Sequence, residues 1–147
     1  RLSVPDRSTL LTRLAISQMA GLLIGLAGFE LIVVLLPDAD PLFRWGVLLW
    51  YPTMGAMIAV VDQLRSQGGL PWEVDWWVPG AIFGAWFNFV ITFMAYGTMS
   101  KFLSGIFGAA SSFASPFWFV AEGMAAGVAI AYLVMRFGGE GRGIGDD

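Results

Sequence analysis

Two glutamates lie inside long apolar runs of this chain. Glu30 is the only charged residue between Leu14 and Leu36, and Glu122 is the only one between Pro116 and Met135. Both runs are long enough to cross a bilayer. A carboxylate in hydrocarbon costs several kcal/mol unless it is paired, hydrated or protonated. Each glutamate therefore predicts either a polar partner or a function.

The two carboxylates are expected at similar depths. Glu30 precedes the end of its run by six residues, about 9 Å of helix, and Glu122 follows the start of its run by the same distance. Arg44 opens the next apolar run, and its long side chain can reach into the membrane. A tyrosine and an asparagine fall deeper. The predicted intramembrane polar cluster consists of Glu30, Arg44, Tyr51, Asn88 and Glu122.

Three interpretations of this cluster remain open. In the structural one, Arg44 neutralises one glutamate, the other is protonated or hydrated, and Asn88 bridges helices. In the functional one, two carboxylates at one depth form a proton or cation site. In the third, these side chains contact a partner chain or lipid.

The absence of two residue types limits the catalytic reactions and ligands that this chain can support. The chain has no Cys and no His, which excludes Ser/His/Asp and Cys/His catalysis, disulfides, and the usual ligands of haem, zinc and copper. It has no basic tract and a net charge of −3, so nothing supports nucleic-acid binding. We expect no enzyme, no cofactor and no metal site. A lipid-modifying enzyme would also be expected to show clustered His, Cys or Asp.

The apolar runs indicate a single membrane domain at residues 1–136. Of all residues, 57% are hydrophobic and 13% charged, whereas a soluble domain has about 25% charged residues. Stretches of about 20 apolar residues match the thickness of a bilayer. The predicted spans are residues 14–36, 42–61, 76–96 and 116–135.

This pattern predicts an all-α four-helix membrane bundle with short loops. Pro52 should kink the second helix, because proline removes a helical hydrogen bond. Residues 97–115, too short to span, should form a short interfacial or re-entrant segment. Residues 137–147 are Gly-rich and should form a flexible tail. The chain begins at Arg1 rather than Met, so we expect residues before it; we expect the first run to be retained as a helix.

When successive residues are placed about 100° apart, as in an α-helix, small residues fall on one face of each predicted span. Helices in lipid associate through such faces because small residues let backbones approach closely. These faces predict a tightly packed bundle. The predicted packing positions are Gly21, Gly25, Gly28, Gly55, Ala59, Gly80, Gly84, Gly123 and Gly127.

The distribution of basic residues predicts the orientation. With four spans, six of the eight Lys and Arg residues fall on the side of the termini, and Arg44 and Lys101 fall on the other. The positive-inside rule then places both termini in the cytoplasm. We expect a bacterial inner-membrane protein in contact with the lipid bilayer.

Two functional hypotheses follow. The first is a non-catalytic accessory or assembly subunit that packs against a larger inner-membrane complex or a second copy of itself. The second is a small oligomeric transporter or channel, in which Glu30 and Glu122 couple or select protons or cations.

Overall fold

A computed structural model describes residues 7–138 of the chain. In this range the protein has five α-helices, one short 3-10 helix and no strand. The helices are α1 (Arg7–Leu35), α2 (Pro41–Ser66), α3 (Val78–Met94), α4 (Tyr96–Phe107) and α5 (Trp118–Phe137), with the 3-10 helix at Ser112–Ala114. The all-α prediction is confirmed. Most of the tail predicted at 137–147 lies outside the described residues.

Three to four helices are long and apolar enough to cross a membrane. Residues Leu10–Leu35 of α1, all of α2 and all of α5 pass this test individually. Helix α3 has 17 residues, about 26 Å, which is short of the roughly 30 Å hydrocarbon layer. It passes only together with α4, and the two are bent by 101°. The structure therefore supports a membrane protein and leaves the fourth span as a prediction.

The turn between α1 and α2 follows from its sequence. Helix α1 ends at Leu35, just before Pro37, and Pro41 occupies the first turn of α2. Asp40 caps α2, because its side chain accepts a hydrogen bond of 2.8 Å from the backbone N–H of Leu42. Proline at the first helical turn needs no backbone donor there. These residues join α1 and α2 into an antiparallel pair.

Helix α2 extends five residues beyond the span predicted at 42–61. It continues through Asp62 and Arg65 to Ser66, and the chain then turns at Gly68, which has a φ of +68°. Asp62 and Arg65, which follow the predicted span, lie within the helix. Burial of Asp62 is possible there because it has basic partners.

The segment between the third and fourth apolar runs is more regular than expected. Residues Tyr96–Phe107 form α4, which follows α3 after the single residue Ala95 and runs almost perpendicular to it. Met99 and Leu103 are buried on one side of α4, and Lys101 is exposed. Gly108, with a φ of +84°, ends the helix. This geometry is compatible with the predicted interfacial position.

Helices α1 and α2 approach each other through glycines. Gly21 lies against the backbone carbonyl of Tyr51, and Gly55 lies against that of Ser17. Gly25 lies against the carbonyl of Leu48, the group that loses its helical donor because residue 52 is proline. Glycine permits this approach because a Cβ at any of these positions would collide with the facing backbone. The kink at Pro52 stays a prediction, since α2 is one helix through that residue.

Helices α3 and α5 form the second close pair. Gly80 faces Gly127, and Gly84 faces Gly123, so that a Cβ on any of the four would overlap the carbonyl oxygen of its counterpart. Backbones this close gain dispersion and Cα–H···O contacts. The two pairs then meet around Met54, Ile58, Ile130 and Val134, which are fully buried.

Candidate functional site

Three of the five residues of the predicted polar cluster meet where α2, α3 and α5 converge: Tyr51 and Asn88 are buried, and Glu122 is exposed at the edge of the contact. The hydroxyl of Tyr51 in α2 donates a hydrogen bond of 2.7 Å to Oε2 of Glu122 in α5. The amide nitrogen of Asn88 in α3 donates to the same oxygen, also at 2.7 Å. One carboxylate oxygen thus accepts hydrogen bonds from two other helices and connects both helix pairs.

Asn88 is the centre of this network. Its side-chain nitrogen also donates to the carbonyl of Phe119 at 2.8 Å, and its Oδ1 accepts from the indole N–H of Trp50 at 3.2 Å. Thr92 donates from its hydroxyl to the backbone carbonyl of Asn88 at 2.6 Å. Asn88 is only 2% exposed. Its polar groups are satisfied, as burial in a low-dielectric interior demands.

Glu122 also borders a cavity of about 340 Å³. Tyr51, Asn88 and Glu122 form its polar end, and the hydroxyl-bearing Thr98 of α4 is also in its wall. The rest of the wall is mainly apolar, with contributions from all five helices. Representative wall residues are Ile24, Ile32, Val47, Ile91, Met99 and Phe102.

The axial offset between the starts of α2 and α5 leaves room for this cavity. Tyr51 lies ten residues after the first residue of α2, about 15 Å along the helix, whereas Glu122 lies four residues after the start of α5, about 6 Å. Because the two side chains touch, α2 projects about 9 Å beyond the start of α5. Helix α4 turns across the step that this leaves and contributes Met99 and Phe102 to its wall.

Glu30 lies outside the network, and the prediction of one five-residue cluster is wrong for it. Its side chain is exposed, and it has no hydrogen-bond or ion-pair partner among the described residues. Glu30 is about 200° around α1 from Gly28, which contacts α2. The periodicity of α1 therefore turns the carboxylate away from the bundle.

Arg44 also lies outside the network. Its guanidinium donates hydrogen bonds to the backbone carbonyls of Pro37 and, at 3.5 Å, of Leu36. These carbonyls follow the end of α1, where backbone acceptors lack helical partners. Arg44 therefore stabilises the turn between α1 and α2, and the predicted neutralisation of a glutamate by Arg44 is wrong.

A second polar cluster, which the sequence analysis missed, lies at the opposite end of α1 and α2. Arg13 contacts Oδ2 of Asp62 at 2.5 Å, and Arg65 donates to Oδ1 through Nε at 3.0 Å and Nη2 at 2.9 Å. Asp62 is 0% exposed. The small-residue faces indicate this proximity: pairing Gly21 with Tyr51 and Ser17 with Gly55 extends, one turn further, to Arg13 and Ala59, and Asp62 lies about one turn beyond Ala59.

Comparison with known proteins adds no family to this geometry: no family model, no curated protein and no solved structure matches the chain.

Proposed function

We propose that this protein is a non-catalytic accessory subunit of the bacterial inner membrane that binds another membrane protein through α1. The observation that carries this proposal is the exposed carboxylate of Glu30 in the middle of an apolar helix face. A second copy of the chain is the other partner that this face could accept.

The surroundings of Glu30 make its exposure costly in lipid. Leu23, Leu26, Val33 and Val34 fall on the same side of α1 and are all exposed, Leu23 to 64% and Val34 to 72%. An isolated chain would hold the carboxylate against hydrocarbon, about 9 Å from the end of the predicted first span. A neighbouring transmembrane helix with Arg, Lys or an amide at this depth would satisfy it.

Extraction in a mild detergent and native mass spectrometry test this proposal. We expect a defined complex heavier than the single chain and containing another polypeptide. Glu30→Leu should weaken that association at least about tenfold, because it removes the one polar contact on the face. Glu73→Leu removes an exposed acid outside the predicted spans and should leave the complex intact. A monomer, or a complex unchanged by Glu30→Leu, would contradict the proposal.

The alternative proposal, a small transporter or channel, draws on a different observation. Glu122 borders a cavity between the helices, as a coupling carboxylate would. Glu30 is not part of the cavity wall that Glu122 borders, so a site shared by both glutamates would need an oligomer. We expect proton or cation flux in liposomes that disappears in Glu122→Gln, if this alternative holds; flux unchanged by that variant would eliminate it.

The predicted topology has a direct test because the chain contains no cysteine. Single cysteines at Asp38, Gln67 and Ala110, three exposed loop positions, should report the side of the membrane. With cytoplasmic termini, an impermeant maleimide should label Asp38→Cys and Ala110→Cys from outside, and Gln67→Cys only after permeabilisation. Labelling of Gln67→Cys in intact cells would contradict this orientation.

A further inference from the structure

At the polar end of the cavity, the two carboxylate oxygens of Glu122 differ in their partners. Oε2 of Glu122 accepts from Tyr51 and Asn88, and the donors of Trp50 and Asn88 are occupied within the network. In the part of the chain that the structure describes, no hydrogen bond reaches Oε1 of Glu122. Oε1 of Glu122 can therefore still accept a hydrogen bond at this end of the cavity. The two donors that converge on Oε2 are the kind of partner that a carboxylate requires.

The other walls select for an apolar body. Ile24, Ile32, Ile91, Met99 and Phe102 offer no polar group, and the volume of about 340 Å³ is at the lower end of small-molecule sites, which hold about 300–1,000 Å³. A single chain, a small ring system or a lipid headgroup suits this space, whereas both acyl chains of a two-chain lipid would not fit inside it. Mainly apolar walls with a few polar groups, here Glu122 and the hydroxyl of Thr98, are typical of small-molecule binding sites.

We propose that the cavity binds a lipophilic amine, with its ammonium group against Oε1 of Glu122 and its apolar body between α1, α2 and α4. An ammonium group supplies both a hydrogen-bond donor for Oε1 and the positive charge that would neutralise the carboxylate. A hydroxyl supplies only the donor, and an anion would be repelled. This site does not depend on the proposed accessory role, because Glu30 is not part of the cavity wall.

A matched series of probes separates these contributions. Phenylbutylamine, phenylbutanol and phenylbutanoate share one apolar body and differ only in the polar group. Their binding is measured by isothermal titration with the full chain in phosphatidylcholine nanodiscs, and partition into empty nanodiscs is subtracted. We expect the amine to bind at least about tenfold more tightly than the alcohol, since a charge-assisted hydrogen bond is the stronger one. The carboxylate should bind most weakly.

Two variants then locate the site. Glu122→Gln should reduce amine affinity to that of the alcohol and leave alcohol binding in place, which also shows that the fold is retained. Ala27→Phe should fill the cavity and abolish binding of both, because Ala27 is part of the wall. Ala121→Phe adds the same ring at an exposed position on α5 next to Glu122 and should bind the amine normally.

Several results would overturn the proposal. Equal affinities of the three probes for the unmodified chain would remove the role of the carboxylate, and absence of binding by any probe would remove the site. If Glu122→Gln fails to fold, Ala27→Phe decides, since retained amine binding in that variant excludes the cavity. Replacement of phosphatidylcholine by phosphatidylethanolamine distinguishes the source: competition indicates a lipid ammonium group, and its absence a free amine.

Discussion

Replacing Asp62 by alanine is expected to lower the free energy of unfolding by about 3–5 kcal/mol. Asp62 is completely buried and accepts hydrogen bonds from Arg13 and Arg65 at once. Its removal leaves the guanidinium of Arg13, whose side chain is 6% exposed, without its carboxylate. A buried charge that loses such a carboxylate keeps its desolvation cost and loses the attraction that the carboxylate supplied.

The two arginines should differ in their own contributions. The side chain of Arg65 is 23% exposed, so its interaction with Asp62 is partly screened by water. Arg65→Ala should therefore have the smaller effect and lower the free energy of unfolding by about 1 kcal/mol. Arg13→Ala should be the more damaging variant, because it removes the buried partner of Asp62 and the aliphatic chain that contacts Gly138. Chemical unfolding of the detergent-solubilised protein, followed by circular dichroism, measures both.

A double variant separates the ion pair from its desolvation. Arg13→Met combined with Asp62→Leu replaces both charges by apolar side chains and should recover most of the stability that Asp62→Ala loses. Asp40→Ala, an acid that caps α2 at its other end, is the matched control and should cost about 1 kcal/mol. An Asp62→Ala variant within about 1 kcal/mol of the unmodified chain would show that the Arg13 charge does not depend on Asp62.

The helices and their packing faces were accessible from the sequence because both depend on local periodicity. Apolar runs of bilayer length predicted α1, α2 and α5, and small residues repeated along one face marked Gly80, Gly84 and their counterparts, which the structure places in contact. Such patterns need no knowledge of how helices are offset along their axes. The same periodicity turns Glu30 away from Gly28 and the glycine face of α1.

The partners of polar side chains were less accessible because they depend on those axial offsets. Depth measured from the ends of the apolar runs placed Arg44 beside the glutamates, yet the turn between α1 and α2 provides nearer acceptors. Tyr51 and Glu122 meet because the starts of α2 and α5 are offset by about 9 Å along the helix axes. The apolar runs do not reveal this offset. Arg13 and Asp62 lie 49 residues apart in the chain, and only the α1–α2 register brings them together.

Gly84→Leu is expected to destabilise the bundle by about 3 kcal/mol or more and to abolish amine binding at Glu122. A Cβ at Gly84 would overlap the backbone carbonyl of Gly123, so α3 and α5 must separate to admit any side chain. A flexible side chain could move aside, but backbone within a helix cannot do so without moving the helix. Thermal unfolding and size-exclusion chromatography of the variant measure the loss of stability.

Gly46→Leu is the matched control for this prediction, since a Cβ at Gly46 in α2 would meet no atom within 4 Å. Leucine also favours helix over glycine, so any loss in Gly84→Leu reflects the collision with Gly123 and not helix propensity. Asn88 lies one turn beyond Gly84, and Glu122 adjoins Gly123, so the contact between these glycines sets the 2.7 Å hydrogen bond from Asn88 to Glu122. A stable Gly84→Leu protein that still prefers the amine would therefore show that this close backbone contact neither holds α3 to α5 nor forms the binding site.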